Sequence, residues 1–159
     1  MIKVGDTIPS LTLTAVTAEG PKQMTTDEIF KGKKVVLFAV PGAFTPTCSA
    51  RHLPGFVEYA EALKEKGVDT IACIAVNDVF VMQAWAKDQG VNDAILMLAD
   101  GSGTFAKAMG LELDLISRGL GIRSERYALI AEDEKVIFLG VEEAGAFEAS
   151  RAEAVLEAL

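Results

Sequence analysis

The sequence predicts a single α/β domain in which a mixed β-sheet is covered on both faces by helices. Three observations lead there. Two unbroken β-prone apolar runs, at residues 35–40 and 70–76, are each followed by a helical pattern, as parallel strands buried on both faces require. Two further runs, at 127–130 and 136–139, are separated by a five-residue polar stretch that suits an antiparallel hairpin. At 159 residues, 50% hydrophobic and 24% charged, the chain is the size of one hydrophobic core, so one domain is expected over 1–159.

Each element follows from a local signal. Residues 8–14 alternate apolar and polar side chains before the turn signal Glu19-Gly20-Pro21, which predicts an N-terminal hairpin at the sheet edge. Residues 35–40, bounded by Lys33-Lys34 and Pro41-Gly42, form the central strand. A long helix is expected over 46–66, because Ser49, Leu53, Phe56, Ala60 and Leu63 recur at three- and four-residue spacing before Gly67. Pro54 inside it removes a hydrogen bond to the Ala50 carbonyl and predicts a kink. Asn77 or Asp78, closing the second strand, can cap a helix over 79–89. A third strand at 95–98 and a short helix to Met109 come next, then the hairpin, then a C-terminal helix over 146–159. Two strand–helix units followed by a β-hairpin and a helix is the order of a thioredoxin-like fold, here with an N-terminal β-hairpin extension.

Charge and cysteine usage narrow the function. A net charge of -8 repels phosphate backbones and anionic lipid surfaces, so no nucleic-acid or membrane partner is expected. No apolar run reaches the ~20 residues of a spanning helix, and the first residues lack a basic segment leading into an apolar stretch. A cytoplasmic location is the resulting expectation. Two cysteines, Cys48 and Cys73, and one histidine, His52, are too few for a disulfide framework or a metal site. Neither a metal nor another cofactor is expected, and Phe44, Phe80 and Trp85 read as core or interface residues.

The chemistry concentrates in Pro41-Gly42-Ala43-Phe44-Thr45-Pro46-Thr47-Cys48-Ser49. Thr45 is a favoured N-cap and Pro46 suits the first helical position, which places Cys48 in the first turn. There the unpaired amides and the positive helix end favour a thiolate over a thiol. A peroxide reduction needs such a sulfur, since it attacks one oxygen while the O–O bond breaks. The Thr45 hydroxyl can donate to the sulfur or the bound peroxide, and Pro41 can shield the sulfur from water.

The pattern Pro41-x-x-x-Thr45-x-x-Cys48 resembles the active-site signature of the peroxiredoxins. The longer string through Ser49, with His52-Leu53-Pro54-Gly55 after it, is similar to the peroxiredoxin-five, or type II, subfamily. Val76-Asn77-Asp78 and Arg123-Ser124-Glu125-Arg126-Tyr127 extend the likeness over nearly the whole chain. The resemblance implies a thiol peroxidase acting on hydrogen peroxide and organic hydroperoxides through a Cys48 sulfenic acid. It also implies that Pro41, Thr45 and Thr47 shape the substrate pocket, that Arg126 stabilises the thiolate, and that two copies form a homodimer. Arg51 and Arg123 compete for the role of Arg126. His52 is either a supporting donor behind the site or a half-exposed packing residue.

One departure bears on mechanism. Many members of the subfamily resolve the sulfenic acid with a cysteine near the C-terminus, and no cysteine follows Cys73 here. Cys73 lies in an apolar strand, where burial makes a thiol inert, and is expected to sit beyond the ~6 Å Cα separation of a disulfide with Cys48. A one-cysteine cycle is expected, with glutathione and glutaredoxin, or thioredoxin, as the reductant. The alternative is a redox sensor or holdase that signals through the same sulfenate.

Overall fold

In the computed structural model, which describes every residue from Met1 to Leu159, the chain opens with a hairpin, β1 (Thr12–Thr17) and β2 (Gly20–Thr25). Helix α1 (Thr26–Phe30) follows, its Thr25 and Glu28 forming a reciprocal capping box. The alternating stretch before Thr12 is not part of the hairpin. Its backbone instead crosses to the far side, where the Ile8 amide donates to the Glu134 carbonyl and Thr7 bridges to Lys135.

The central strand β3 (Lys34–Val40) leads into a helical region that departs from the single kinked helix expected. Cys48–His52 form a π-helical turn, closed by the Leu53 amide donating to the Cys48 carbonyl. Then come α2 (Leu53–Glu58) and α3 (Ala60–Glu65), broken apart at Tyr59. The wider turn absorbs Pro54. By shifting register just before the proline, the chain places it in the first turn of α2, where a missing N–H costs little.

Next are β4 (Thr70–Ala75), α4 (Val79–Asp88), β5 (Leu96–Ala99) and α5 (Thr104–Met109). Asp78 caps α4 by accepting from the Val81 amide. A small hairpin absent from the sequence reading, β6 (Glu112–Leu115) and β7 (Gly121–Ser124), precedes β8 (Tyr127–Glu132) and β9 (Lys135–Val141). The last helix, α6 (Ala152–Ala158), starts six residues later than position 146, where the sequence reading begins it.

The seven-stranded sheet runs β2-β1-β5-β4-β3-β8-β9, with β3, β4 and β5 parallel and β8 antiparallel to β3. Alternate residues of these strands feed two cores. Val36, Phe38, Ile71 and Cys73 face Leu53, Phe56, Leu63, Met82, Trp85 and Val155 of α2, α3, α4 and α6. On the other face Val35, Leu37, Ala72 and Ile74 meet Ile29, Phe30, Phe105 and Met109 of α1 and α5. A sheet buried on both faces explains why its strands read as continuous apolar runs.

Register places the site. Ala39 of β3 lies opposite Tyr127 of β8, so Arg126 enters the sheet beside the point where β3 ends and the Pro41–Cys48 segment begins. Across β9, the Gly140 backbone presses on the Ala149 carbonyl, leaving no room for a Cβ. Gly140→Ala must therefore displace the segment after β9, and urea unfolding is expected to show a loss of about 1–3 kcal/mol; an unchanged midpoint would mean that the segment is not held against the sheet.

Candidate active site

The segment leaving β3 is held from three sides before it reaches Cys48. The Ala43 amide donates to Asn77 Oδ1 at 2.9 Å, so Asn77 pins this loop while Asp78 alone caps α4. Arg123 Nη1 donates to the Pro41 carbonyl at 3.4 Å, and a Cβ on Gly42 would lie 2.9 Å from that same nitrogen. Phe44 adopts φ 64, a conformation bulky residues rarely take. These constraints leave the chain little choice in how it enters the helix.

Thr45 begins that helix through its backbone, since its carbonyl accepts from the Ser49 amide at 3.0 Å. Its hydroxyl, however, donates to the Gly42 carbonyl at 2.6 Å, so its proton is not available to the sulfur. The expected donor role of Thr45 is thereby corrected: what it can offer a ligand is the lone pairs of Oγ1. Pro46, Thr47 and Cys48 occupy the first turn, where the Thr47 and Cys48 amides precede the first intrahelical bond. Trp85 Nε1 donates to Ser49 Oγ at 3.0 Å and fastens the turn to α4.

The Cys48 side chain is fully buried, and Arg126 Nη2 donates to its Sγ at 2.9 Å. Of the three arginines that compete from sequence, Arg126 is the one on the sulfur. Arg123 holds the Pro41 carbonyl, and Arg51 stacks its guanidinium 4.7 Å from the centre of the Phe147 ring. The donor in this bond is a cation, and a charge-assisted hydrogen bond is about twice as strong as a neutral one.

His52 stands behind the site against Arg126, but as an acceptor rather than the donor one sequence-based reading expects, and it is not half-exposed as the other has it. It is fully buried between Phe38, Phe56 and Phe147, with ring centroids 5.0, 5.6 and 5.1 Å away. Its Nε2–H donates to the Ser150 carbonyl at 2.9 Å, and its Nδ1 accepts from Arg126 Nη1 at 2.8 Å. Two cationic partners could not share that bond, so the imidazole is neutral and protonated on Nε2. Burial, reinforced by the Arg126 charge, lowers its pKa to about 3.

Glu142, which no sequence pattern singled out, organises the segment behind His52. Its carboxylate accepts from the Glu148, Ala149 and Ser150 amides and from Ser150 Oγ. Burial works against its ionisation, but these bonds outweigh that and keep its carboxyl below the usual range. They also hold 148–150 out of helix, which is why α6 starts only at Ala152.

Pro41, Thr45, Thr47 and Arg126 line a cleft of about 420 Å³, walled on one side by Leu113, Leu115 and Leu120. Cys73 lies in the middle of β4 as a free, fully buried thiol, and burial, with a smaller contribution from Cys48, pushes its pKa up. It shares the apolar core with Cys48; neither sulfur lines the cleft, but Cys48 is bonded to Arg126, which does.

A thioredoxin-like sheet that delivers a buried cysteine to a helix start, with a guanidinium on its sulfur, defines a thiol-based oxidoreductase. Residues 3–156 match the Redoxin family. The chain is 54% identical to Peroxiredoxin-2C of Oryza sativa, covering 99% of this chain and 98% of that one. Reduced Prx3 of Vibrio vulnificus, solved with hydrogen peroxide, superposes with a TM-score of 0.95 at 53% identity, covering 99% of each chain. Peroxiredoxin 5 of Alvinella pompejana gives 0.87 at 38% identity, covering 99% and 97%. The chain belongs to the peroxiredoxins, in the type II or peroxiredoxin-five subfamily, and is a thiol peroxidase.

The buried neutral histidine has a consequence for stability. Between its folded value of about 3 and its ordinary value of 6.5, the unfolded chain binds a proton that the folded chain does not. Stability is therefore full above the ordinary value and falls as pH drops, by about 1.4 kcal/mol per pH unit. Urea unfolding between pH 6 and 5 should show this slope in the wild type and lose most of it in His52→Gln; equal slopes would show that His52 is not held neutral.

Proposed function

We propose that the chain reduces hydrogen peroxide and organic hydroperoxides through Cys48 in a one-cysteine cycle completed by an external thiol. The observation that carries this reading is that Arg126, which lines the cleft with Pro41 and Thr45, donates through Nη2 to Cys48 Sγ at 2.9 Å. A hydroperoxide entering there can donate its O–H to Thr45 Oγ1 and accept from Arg126 and the first-turn amides. The thiolate attacks the terminal oxygen, the O–O bond breaks, and the alkoxide or hydroxide leaves with a proton as alcohol or water. Donors already aimed at the developing negative charge lower the barrier without reorganising. Thr47 and the leucine wall leave room for an apolar tail, which supports organic hydroperoxides as substrates.

The product is a Cys48 sulfenic acid. Burial of Cys73 within β4, together with its raised pKa, supports a cycle in which Cys73 does not attack that sulfur. An external thiol such as glutathione then condenses with the sulfenic acid, releasing water and forming a mixed disulfide. A second thiol, delivered directly or through glutaredoxin or thioredoxin, releases Cys48.

Peroxide consumption with a thiol reductant is the test. Wild type should turn over repeatedly and Cys48→Ser should not; oxidation of Cys48 without turnover under every reductant would favour a sensor. After one equivalent of peroxide, intact mass should rise by one oxygen, and a loss of two hydrogens would contradict the one-cysteine cycle. Native spectra of the same samples test the accompanying proposal of a homodimer through the face bearing Phe44, which is 51% exposed; monomer alone would contradict it.

A further inference from the structure

We propose that Glu142 is a positioning residue for Arg126, closing a ring of hydrogen bonds that fixes the arginine at both its backbone and its guanidinium. The inference rests on the peroxidase reading of Cys48 and adds a residue to it. The ring can be followed atom by atom. The Glu142 amide donates to the Arg126 carbonyl at 2.9 Å, so the two residues are joined directly across β8 and β9. From there the Glu142 carboxylate reaches forward to the segment after β9, accepting from the Glu148 amide at 2.8 Å, Ala149 at 3.1 Å and Ser150 at 2.9 Å, and from Ser150 Oγ at 2.6 Å. The Ser150 carbonyl so positioned takes the Nε2–H of His52, and His52 Nδ1 takes the Nη1–H of Arg126. The other terminal nitrogen of Arg126, Nη2, donates to the sulfur.

The chemistry explains why a carboxylate occupies this position. Four donors converge on two oxygens, three of them on Oε2, and only an anion without protons of its own accepts them all. Residues 142–151 contain no regular structure, so without this anchor the Ser150 carbonyl would sample many positions and fixing it would cost conformational entropy. His52 would then lose the bond that selects its Nε2–H tautomer. In the other tautomer Nδ1 carries a proton and faces the Arg126 donor, so the guanidinium would be pushed away from the sulfur. Glu142 lines the cleft beside Arg126 but makes no hydrogen bond to Cys48 or His52, and the bonded route from it to the sulfur runs through Ser150, His52 and Arg126.

The experiment uses the full chain as wild type, Glu142→Ala and Glu142→Gln. The rate of Cys48 oxidation by hydrogen peroxide is read from Trp85, the one tryptophan, which is bonded to Ser49 in the same helical turn. The tautomer of His52, the one histidine, is read from its imidazole ¹⁵N shifts. The second-order rate should fall on the order of tenfold in Glu142→Ala, because small misplacements of a catalytic group are costly. It should fall less in Glu142→Gln, which keeps one acceptor oxygen. The His52 signals should change from a single Nε2–H form to a mixture in the same order. Ile29→Val, in the opposite core, lowers stability and should move neither reading.

A rate within twofold of wild type in Glu142→Ala, or a slower rate with the His52 tautomer unchanged, would overturn the proposal. Should wild type fail to consume peroxide while the variants still alter His52, the ring would stand and the peroxidase reading would fall.

Discussion

The structure of this site depends on one shared side chain. The Arg126 guanidinium bonds to the Cys48 sulfur with one nitrogen and to the His52 imidazole with another. It can do so because β8 pairs antiparallel with β3 in a register that sets Tyr127 opposite Ala39. A slip of one residue would send the arginine to the other face of the sheet. The sulfur, in turn, is brought to the same place by the loop that Asn77 and Arg123 hold at Ala43 and Pro41.

The choice of histidine behind the arginine has an electrostatic logic. A half-buried cation still needs the donors it turns inward satisfied, and a carboxylate would satisfy them most strongly. A carboxylate would also cancel much of the positive field that the guanidinium projects onto the sulfur. A neutral imidazole accepts the hydrogen bond without that cancellation, and the aromatic rings of Phe38, Phe56 and Phe147 keep it neutral by excluding water. The cost appears as stability lost at acid pH, since the unfolded histidine gains a proton that the folded one refuses.

Local signals in the sequence identified what local forces decide. The strands β3, β4 and β8 are apolar runs whose burial on both faces leaves no ambiguity, and Pro41, Thr45 and Cys48 lie close enough to form one readable string. Arg126 is 78 residues from the cysteine it touches, and only likeness to a family pointed to it. The hydroxyl of Thr45 and the tautomer of His52 depend on partners that appear only after folding. The helical composition after Ala146 suggested an early start for α6, but the Glu142 carboxylate captures the amides of Glu148, Ala149 and Ser150 and delays it. The β6–β7 hairpin, with strands of four residues, is too short to stand out as a pattern.

The central claim is that a planar, two-pronged cation sets the reactivity of the sulfur, and Arg126→Lys tests it most directly. Lysine keeps the charge but cannot hold the fixed bridge between sulfur and imidazole. Stopped-flow oxidation of the reduced protein by hydrogen peroxide should show a second-order rate lower by about 10²-fold, the scale of losing one preorganised donor. A rate within threefold of wild type would contradict the account, because a point charge would then serve as well as the bridging guanidinium.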